Sequence, residues 1–300
     1  SEMSDLPISL REKLSDIPLH PLKMVNNDVS TSKQTQKYLF ELESGEKIES
    51  VLMVDGKRVT ICLSTQVGCA VDCDFCATGK MGFIQNLTAG EILDQFLQLQ
   101  KIIEKKITNV VFMGMGEPFL NYNNSILAAD LLHHPKGINM GAWRITISTA
   151  GITKKIKQFA NDAHPYKLAV SLNGSNQEQR LMTMPITKTQ SFSELLEVSQ
   201  YYTHRTRKRV TFEYVLMAGV NDDPIDAKNL KEILAPINCK LNLIPYNEIN
   251  GPYRRPSDTE IKLFISSLKN ASFPVTVRWS KGQDIDAGCG QLATVSEVNK

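Results

Sequence analysis

The sequence predicts an α/β fold built on a mostly parallel sheet, and three observations carry that expectation. From about residue 59 onward, short apolar runs rich in Val, Ile and Leu alternate with amphipathic helical patterns. This is how strands buried on both faces alternate with crossover helices. About six such βα units in series require parallel strands, either doubly wound or curled into a barrel. Polar and glycine residues then gather at or just after the strand ends: Gly114-Met-Gly-Glu117, Ser148-Thr149, Ser171-Leu172-Asn173 and Tyr246-Asn247. Those ends form the active-site face of a β/α barrel, so the reading favours a barrel-like enzyme over a binding module.

The elements follow in order. A short helix is expected over 6–14, then a linker interrupted by Pro18 and Pro21, then a hairpin of 37–43 and 47–54 about Ser44-Gly45. Residues 1–58 thus read as a small extension docked on the main domain. Strands are expected at 59–64, 109–113, 144–148, 167–172, 209–216, 240–244 and 275–278. Thr88-Ala-Gly-Glu91 has the form of a capping box, opening a helix with Ile92, Phe96, Leu99 and Ile103 on one face. Further helices are expected at 123–132, 153–159, 191–202, 224–234 and 257–268. The main domain runs over 59–280, and a glycine-bearing tail over 281–300 carries Cys289.

Composition narrows the class. The 300 residues are 42% hydrophobic and 22% charged, which argues against a disordered or collagen-like chain. The longest apolar stretches are strand-sized, so no membrane-spanning helix is expected. The opening Ser1-Glu-Met3-Ser-Asp5 lacks the basic-then-apolar pattern of a secretory signal, so the expected location is the cytoplasm. Ser1 and Glu2 stand ahead of Met3 as a cloning remnant would. Lys and Arg total 34 against 32 Asp and Glu, a net of +2 that neither announces nor excludes a nucleic-acid partner.

The six cysteines are Cys62, Cys69, Cys73, Cys76, Cys239 and Cys289. In a chain without a secretory signal, clustered thiols point to a metal or to chemistry rather than to a disulfide framework. Cys69-Ala-Val-Asp-Cys73-Asp-Phe-Cys76 follows the first strand of the main domain directly, so three thiolates can face one point. Structural zinc takes four ligands, and a cubane iron–sulfur cluster usually takes four cysteines. Three leave one iron open to a small molecule, and Phe75 shields the loop from water. The competing readings are a zinc site completed by a distant histidine and plain buried cysteines. His20, His133, His134, His164 and His204 all lie away from the motif.

This motif resembles the signature of the radical S-adenosylmethionine (SAM) superfamily. Gly114-Met-Gly-Glu-Pro118 looks like that superfamily's glycine-rich SAM motif. A narrower resemblance runs over about residues 20–295. Cys62-Leu-Ser-Thr-Gln-Val-Gly-Cys69, Phe75-Cys-Ala-Thr-Gly79, Gly82-Phe83, Asn86-Leu-Thr88, Ile147-Ser-Thr-Ala-Gly151, Asn242-Leu-Ile-Pro-Tyr-Asn247 and Asp284-Ile-Asp-Ala-Gly-Cys-Gly-Gln-Leu292 are similar to the RlmN/Cfr family. The resemblance implies a partial (β/α)6 barrel with one [4Fe-4S] cluster and SAM, used twice per turnover. It also implies methylation of an adenine in 23S rRNA. RlmN-type members act on carbon 2, and on a tRNA adenine too; Cfr-type members act on carbon 8 and confer antibiotic resistance. Gly82-Phe83 and Glu117-Pro-Phe-Leu-Asn-Tyr-Asn-Asn124 look more RlmN-like.

The residue roles come from the same resemblance. Cys69, Cys73 and Cys76 would hold the cluster. Gly116, Glu117, Ser148, Ser171, Leu172, Asn173 and Asn247 would contact SAM, Asn173 standing where the family usually has His. Cys289 would carry the methyl group as S-methylcysteine. Cys62 would resolve the protein–RNA thioether through a disulfide, and Glu49 would accept the proton lost from the ring. Cys239 matches no family catalytic position and reads as structural. The implied partners are RNA and an electron donor such as a flavodoxin-type system, with no membrane and a monomeric chain. His204-Arg-Thr-Arg-Lys-Arg209 and Tyr253-Arg-Arg255 are the densest basic patches for phosphate contact. The chain begins near the end of the family's helical accessory domain, and residues 30–37 depart from its Asp-Gly-Thr turn. The alternative from another class is a SAM- or RNA-binding iron–sulfur protein without methyl transfer. The Cys62/Cys289 pair and Glu49 speak against it.

Overall fold

The computed structural model describes residues 6–15 and 20–294. Helix α1 (Ile8–Ser15) precedes four strands, β1 (Leu22–Val29), β2 (Thr35–Leu42), β3 (Lys47–Asp55) and β4 (Arg58–Cys62). A short ribbon of β5 (Gln66–Gly68) and β6 (Phe83–Asn86) brackets α2 (Ala77–Lys80). The rest alternates: α3 (Ala89–Ile102), β7 (Asn109–Phe112), α4 (Tyr122–His133), β8 (Ile145–Thr149), α5 (Thr153–Asn161), β9 (Lys167–Ser171), α6 (Gln177–Thr183), α7 (Phe192–Thr206), β10 (Val210–Leu216), α8 (Pro224–Leu234), β11 (Cys239–Pro245), α9 (Asp258–Ser267) and β12 (Val275–Val277). No described helix is long and apolar enough to cross a membrane.

Ten of these strands form one sheet in the order β1-β2-β3-β4-β7-β8-β9-β10-β11-β12. From β4 onward every pairing is parallel, and each new strand joins the same edge. A doubly wound sheet would reverse its order at a switch point. With no reversal, every right-handed crossover lies on one face, the twisted sheet curls away from its helices, and the other face becomes the inside of an open barrel. Of the two architectures the sequence allows, the structure is the barrel.

All seven expected parallel strands are present. The hairpin about Ser44-Gly45 is present as β2 and β3, with Gly45 in the left-handed region at φ +85°. The linker assignment is corrected in part: Pro18 lies outside the described residues, but Pro21 leads directly into β1, which pairs antiparallel with β2. Polar Asn26, Asn27 and Asp28 mask this strand, because an edge strand can be polar on both faces when only its ladder is needed. The β1–β3 ribbon continues the main sheet through β3–β4 pairing, Val54 opposite Val59.

The core lies between the sheet and its helices. Phe159 on α5 is fully buried and meets Phe119, His164 and Tyr202 at ring-centroid distances of 5.7, 5.2 and 6.1 Å. At the start of α3, Thr88 Oγ1 accepts from the Glu91 amide at 3.2 Å while Glu91 Oε2 accepts from the Thr88 amide at 2.7 Å. Phe159→Ala should therefore cost about 3–5 kcal/mol through lost burial and a cavity. Thr88→Ala should cost about 1 kcal/mol through the lost cap. Urea midpoints of the two variants check that ranking.

Candidate active site

The cysteine loop hangs between β5 and α2 and is fixed by backbone bonds. The Cys69 amide donates to Gly82 O at 2.8 Å, the Asp74 amide to Thr183 O at 2.9 Å, and the Ala77 amide to Gly290 O at 2.7 Å. Gly68, at φ +69°, leaves no room for a side chain: a Cβ would lie 1.8 Å from Gly82 O. Cys69, Cys73 and Cys76 are half-buried and pack against an apolar shell that includes Val71, Phe75, Met184, Met217 and Tyr246. Burial pushes the Cys69 thiol up to about 12 and raises Cys73 and Cys76 as well. Thiols so held become thiolates only against a metal. Among the described residues no trio of His, Cys, Asp or Glu converges closely enough for a single ion.

The three thiols form one wall of a cavity of about 820 Å³. Gly116, Glu117, Ser148, Ser171, Asn173 and Cys289 line it too. The glycines here are required by the protein itself. A Cβ on Gly114 would lie 2.8 Å from the Leu63 backbone, and one on Gly116, at φ +95°, 2.5 Å from Gln66 Cβ. The loop closes on that segment through Met115 N to Ser64 Oγ and Glu117 N to Gln66 Oε1, both at 2.8 Å. The Glu117 carboxylate accepts from Phe119 N at 2.9 Å and Ala150 N at 2.6 Å, joining the β7 and β8 ends. Asn173 sits in the left-handed region at φ +51°. Asn and His are among the side chains that tolerate it best, which fits the exchange from the family's usual residue. Its Oδ1 accepts from Val215 N at 2.8 Å.

Two expected SAM contacts lie off this cavity wall. Leu172 is fully buried, its amide bonded to Glu213 O at 2.9 Å. Asn247 holds the tail instead, with Nδ2 donating to Cys289 O at 3.0 Å and Oδ1 accepting from Gln283 at 2.7 Å.

Cys62 and Cys289, distant in sequence, line a second cavity of about 430 Å³ with Met53, Met113, Arg278 and others. Cys289 thus belongs to the walls of both cavities. Glu49 is buried on β3 and lies on neither wall. Its oxygens meet Lys37 Nζ at 3.1 Å and the Ala293 amide at 3.0 Å. Burial raises its pKa, with Lys37 pulling the other way. Cys239 is buried at the start of β11.

Sequence reasoning missed Arg180. It is fully buried on α6 and donates to Thr187 Oγ1 at 2.7 Å and to the carbonyl of Ala150 at 2.5 Å, facing Cys73 with its charge. No local pattern flags it, because α6 is short and mostly polar. Of the basic patches, the 204–209 run lies where β10 begins, at the opposite end of the strands from the cavities. Tyr253 is on the site side, bonded to Asp74 at 3.1 Å.

Burial raises Glu117 from 4.5 to about 7. The folded state therefore holds this proton more tightly than the unfolded one. The stability it contributes is full below about pH 4.5 and is lost as pH rises through about 7. Glu117→Gln should remove that fall, seen as a wild-type-minus-variant difference in Tm that declines as pH rises from about 4.5 to about 7.

A sequence profile of the radical SAM superfamily matches residues 63–228. A Thermotoga neapolitana protein named "Probable dual-specificity RNA methyltransferase RlmN" is 45% identical, over 99% of this chain and 87% of its own length. A Leptospira interrogans protein of the same name is 43% identical, over 95% and 82%. The crystal structure of a radical SAM methyltransferase from Sphaerobacter thermophilus superposes with a TM-score of 0.92 at 43% identity, covering 97% of this chain and 86% of that one. Streptococcus suis SuiB, bound to S-adenosylmethionine, shares the fold alone, at a TM-score of 0.55 and 12% identity, over 78% of this chain and 57% of its own. The chain belongs to the radical SAM superfamily and, within it, to the RlmN family, with a [4Fe-4S] cluster and S-adenosylmethionine as its cofactors.

Proposed function

We propose that this chain methylates an adenine of RNA at carbon 2, in 23S rRNA and in tRNA, through a methyl group carried on Cys289. The observation that carries this reading is the position of Cys289 on both cavity walls. One cavity holds the three clustered thiols and the glycine-rich loop; the other holds Cys62. A sulfur at their junction can take a methyl group from one side and meet a second thiol on the other.

Cys69, Cys73 and Cys76 would hold the cluster, and the walls at Gly116, Glu117, Ser148, Ser171 and Asn173 would hold SAM. Together the two cofactors supply the 5′-deoxyadenosyl radical. The apolar shell about Phe75 excludes water from that chemistry. Cys289 presents its methyl group toward the substrate and becomes joined to the ring by a thioether. Cys62 then attacks the Cys289 sulfur and frees the product. Glu49 accepts the ring proton; burial raises its pKa toward the range of a working base. For this the Ala293 amide must move off its carboxylate. Each turnover leaves a disulfide, so a flavodoxin-type electron donor and a reducing compartment, the cytoplasm, follow from the same reading. The chain acts as a monomer.

The test is product analysis by mass spectrometry with cluster-loaded protein, SAM and reductant. Wild type should yield 2-methyladenine and Cys289→Ala none. Methylated RNA from Cys289→Ala would overturn the carrier role, and methyl at carbon 8 would replace this reading with a Cfr-type one. Cys62→Ala should accumulate a covalent protein–RNA adduct visible on a denaturing gel; normal turnover by that variant would remove Cys62 from the mechanism.

A further inference from the structure

The chain holds two tryptophans, Trp143 and Trp279, and both are more than half exposed, at 60% and 51%. An indole is among the largest apolar surfaces a side chain can bury, yet neither ring belongs to the apolar clusters of the interior. Packing does not account for them. Topology separates the two. Trp143 precedes β8 and lies where the parallel strands begin; Trp279 follows β12, which runs parallel to β11, and lies where they end, on the cavity side. Its neighbour Arg278 lines the cavity that Cys62 and Cys289 share. The guanidinium carbon of Arg255 stands 6.0 Å from the centre of the Trp279 ring. Arg255 Nη1 donates to Tyr246 O at 3.2 Å and to Pro245 O at 3.4 Å, at the end of β11. The next residue of that loop, Asn247, holds the Cys289 backbone. Glu248 accepts from the Arg255 amide at 3.0 Å, and Glu260 pairs with Arg254. Among the described residues the Arg255 guanidinium makes no ion pair.

We propose that Trp279 and Arg255 form a stacking platform for the nucleotide beside the target adenine, the indole taking its base and the guanidinium its phosphate. The proposal rests on the reading of RNA as substrate and on no other part of the mechanism. An adenine that enters the cavity of Cys62 and Cys289 must leave its stack. Its neighbour then exposes a bare face. An indole on the same side of the barrel replaces the lost partner, whichever base stands there, because every base has a π-face. Arg255 is anchored through Nη1 to two carbonyls, and among the described residues its Nη2 and Nε have no partner. Those donors suit a phosphate oxygen.

Trp143 is the internal control. It too lies under cations, with the Arg144 guanidinium carbon 4.3 Å and Lys167 Nζ 5.8 Å from its ring centre. But β8 separates it from the cavities, and a strand of that length spans about 16 Å. A nucleotide adjoining an adenine held at Cys289 reaches Trp279 and not Trp143. Stacking supplies affinity and orientation without base identity, so Trp279 is a positioning residue for the substrate.

The experiment reads binding to the cluster-loaded full chain without reductant, so that no turnover intervenes. The probe is a hairpin RNA with an adenine in its loop. In Trp143→Phe only Trp279 emits, and its fluorescence should be quenched as the hairpin binds. In Trp279→Phe only Trp143 emits, and it should not respond. An abasic site placed on each side of the adenine in turn should weaken binding to wild type about tenfold at one of the two positions, the size of one base–aromatic stack. Trp279→Ala should bind the intact hairpin about tenfold more weakly and lose that abasic difference. Arg255→Gln should lower the slope of log affinity against log salt by about 0.7, one phosphate contact to a single strand. Unchanged Trp279 emission, or abasic costs equal in wild type and Trp279→Ala at both positions, would overturn the platform; an unchanged salt slope would overturn the part given to Arg255. A wild type that binds no hairpin at all would strike the RNA reading itself, and the platform with it.

Discussion

The site depends on a hydrogen bond of 2.7 Å between the Ala77 amide and the Gly290 carbonyl. It ties the end of the cysteine loop to a tail that has no sheet or helix of its own there. Bonds on either side keep the register. Thr78 Oγ1 donates to Leu292 O at 2.5 Å, Asn247 donates to Cys289 O at 3.0 Å, and Ala293 N donates to Glu49 at 3.0 Å. Cys289 is thereby set between two cavities by backbone contacts, independent of its own side chain. Gly288 is part of the same fit, because a Cβ there would lie 2.5 Å from Gln291 Oε1 and 2.7 Å from Asn247. The tail glycines thus serve close packing at 288 and a left-handed turn at 290, where φ is +85°.

The barrel interior explains how charge survives near the thiols. Asn242 Nδ2 donates to Glu213 at 2.6 Å, and Thr276 Oγ1 donates to Asn242 Oδ1 at 2.9 Å, across β10, β11 and β12. Buried polar groups persist when their partners are fixed by the ladder itself. The network needs parallel strands in register, with Glu213 opposite Asn242 and Asn242 opposite Thr276. The same pairing that makes the barrel makes the polar layer beneath Cys289.

Much of this is legible in the chain. The apolar runs report strands because both sheet faces are covered, and the capping boxes report helix starts because their partners are three residues away. The cysteine motif is legible because its ligands are local. What is hidden is long-range. Arg180, Arg278 and Gln66 have roles set by residues on other elements, and the sequence carries no periodicity for a cation placed beside a thiol. Asn247 was readable as a site residue, and its side chain holds the tail's backbone at Cys289, a partner 42 residues away that no local pattern announces. Glu49 is buried and ion-paired to Lys37 because β2 and β3 pair, and a linear reading sees an alternating edge.

Charge shows the same limit in a sharper form. The basic run at 204–209 is dense in sequence because it joins α7 to β10, and every such helix-to-strand joint lies at the end of the barrel away from the cavities. The cavity side instead carries Arg255, whose guanidinium stands 6.0 Å above the Trp279 ring, beside Arg278. Those residues are contiguous only after β12 has paired with β11. A net charge of +2 averages over both ends. Direction of approach by a polyanion is a property of where strands begin and end, so it follows from the topology and not from composition.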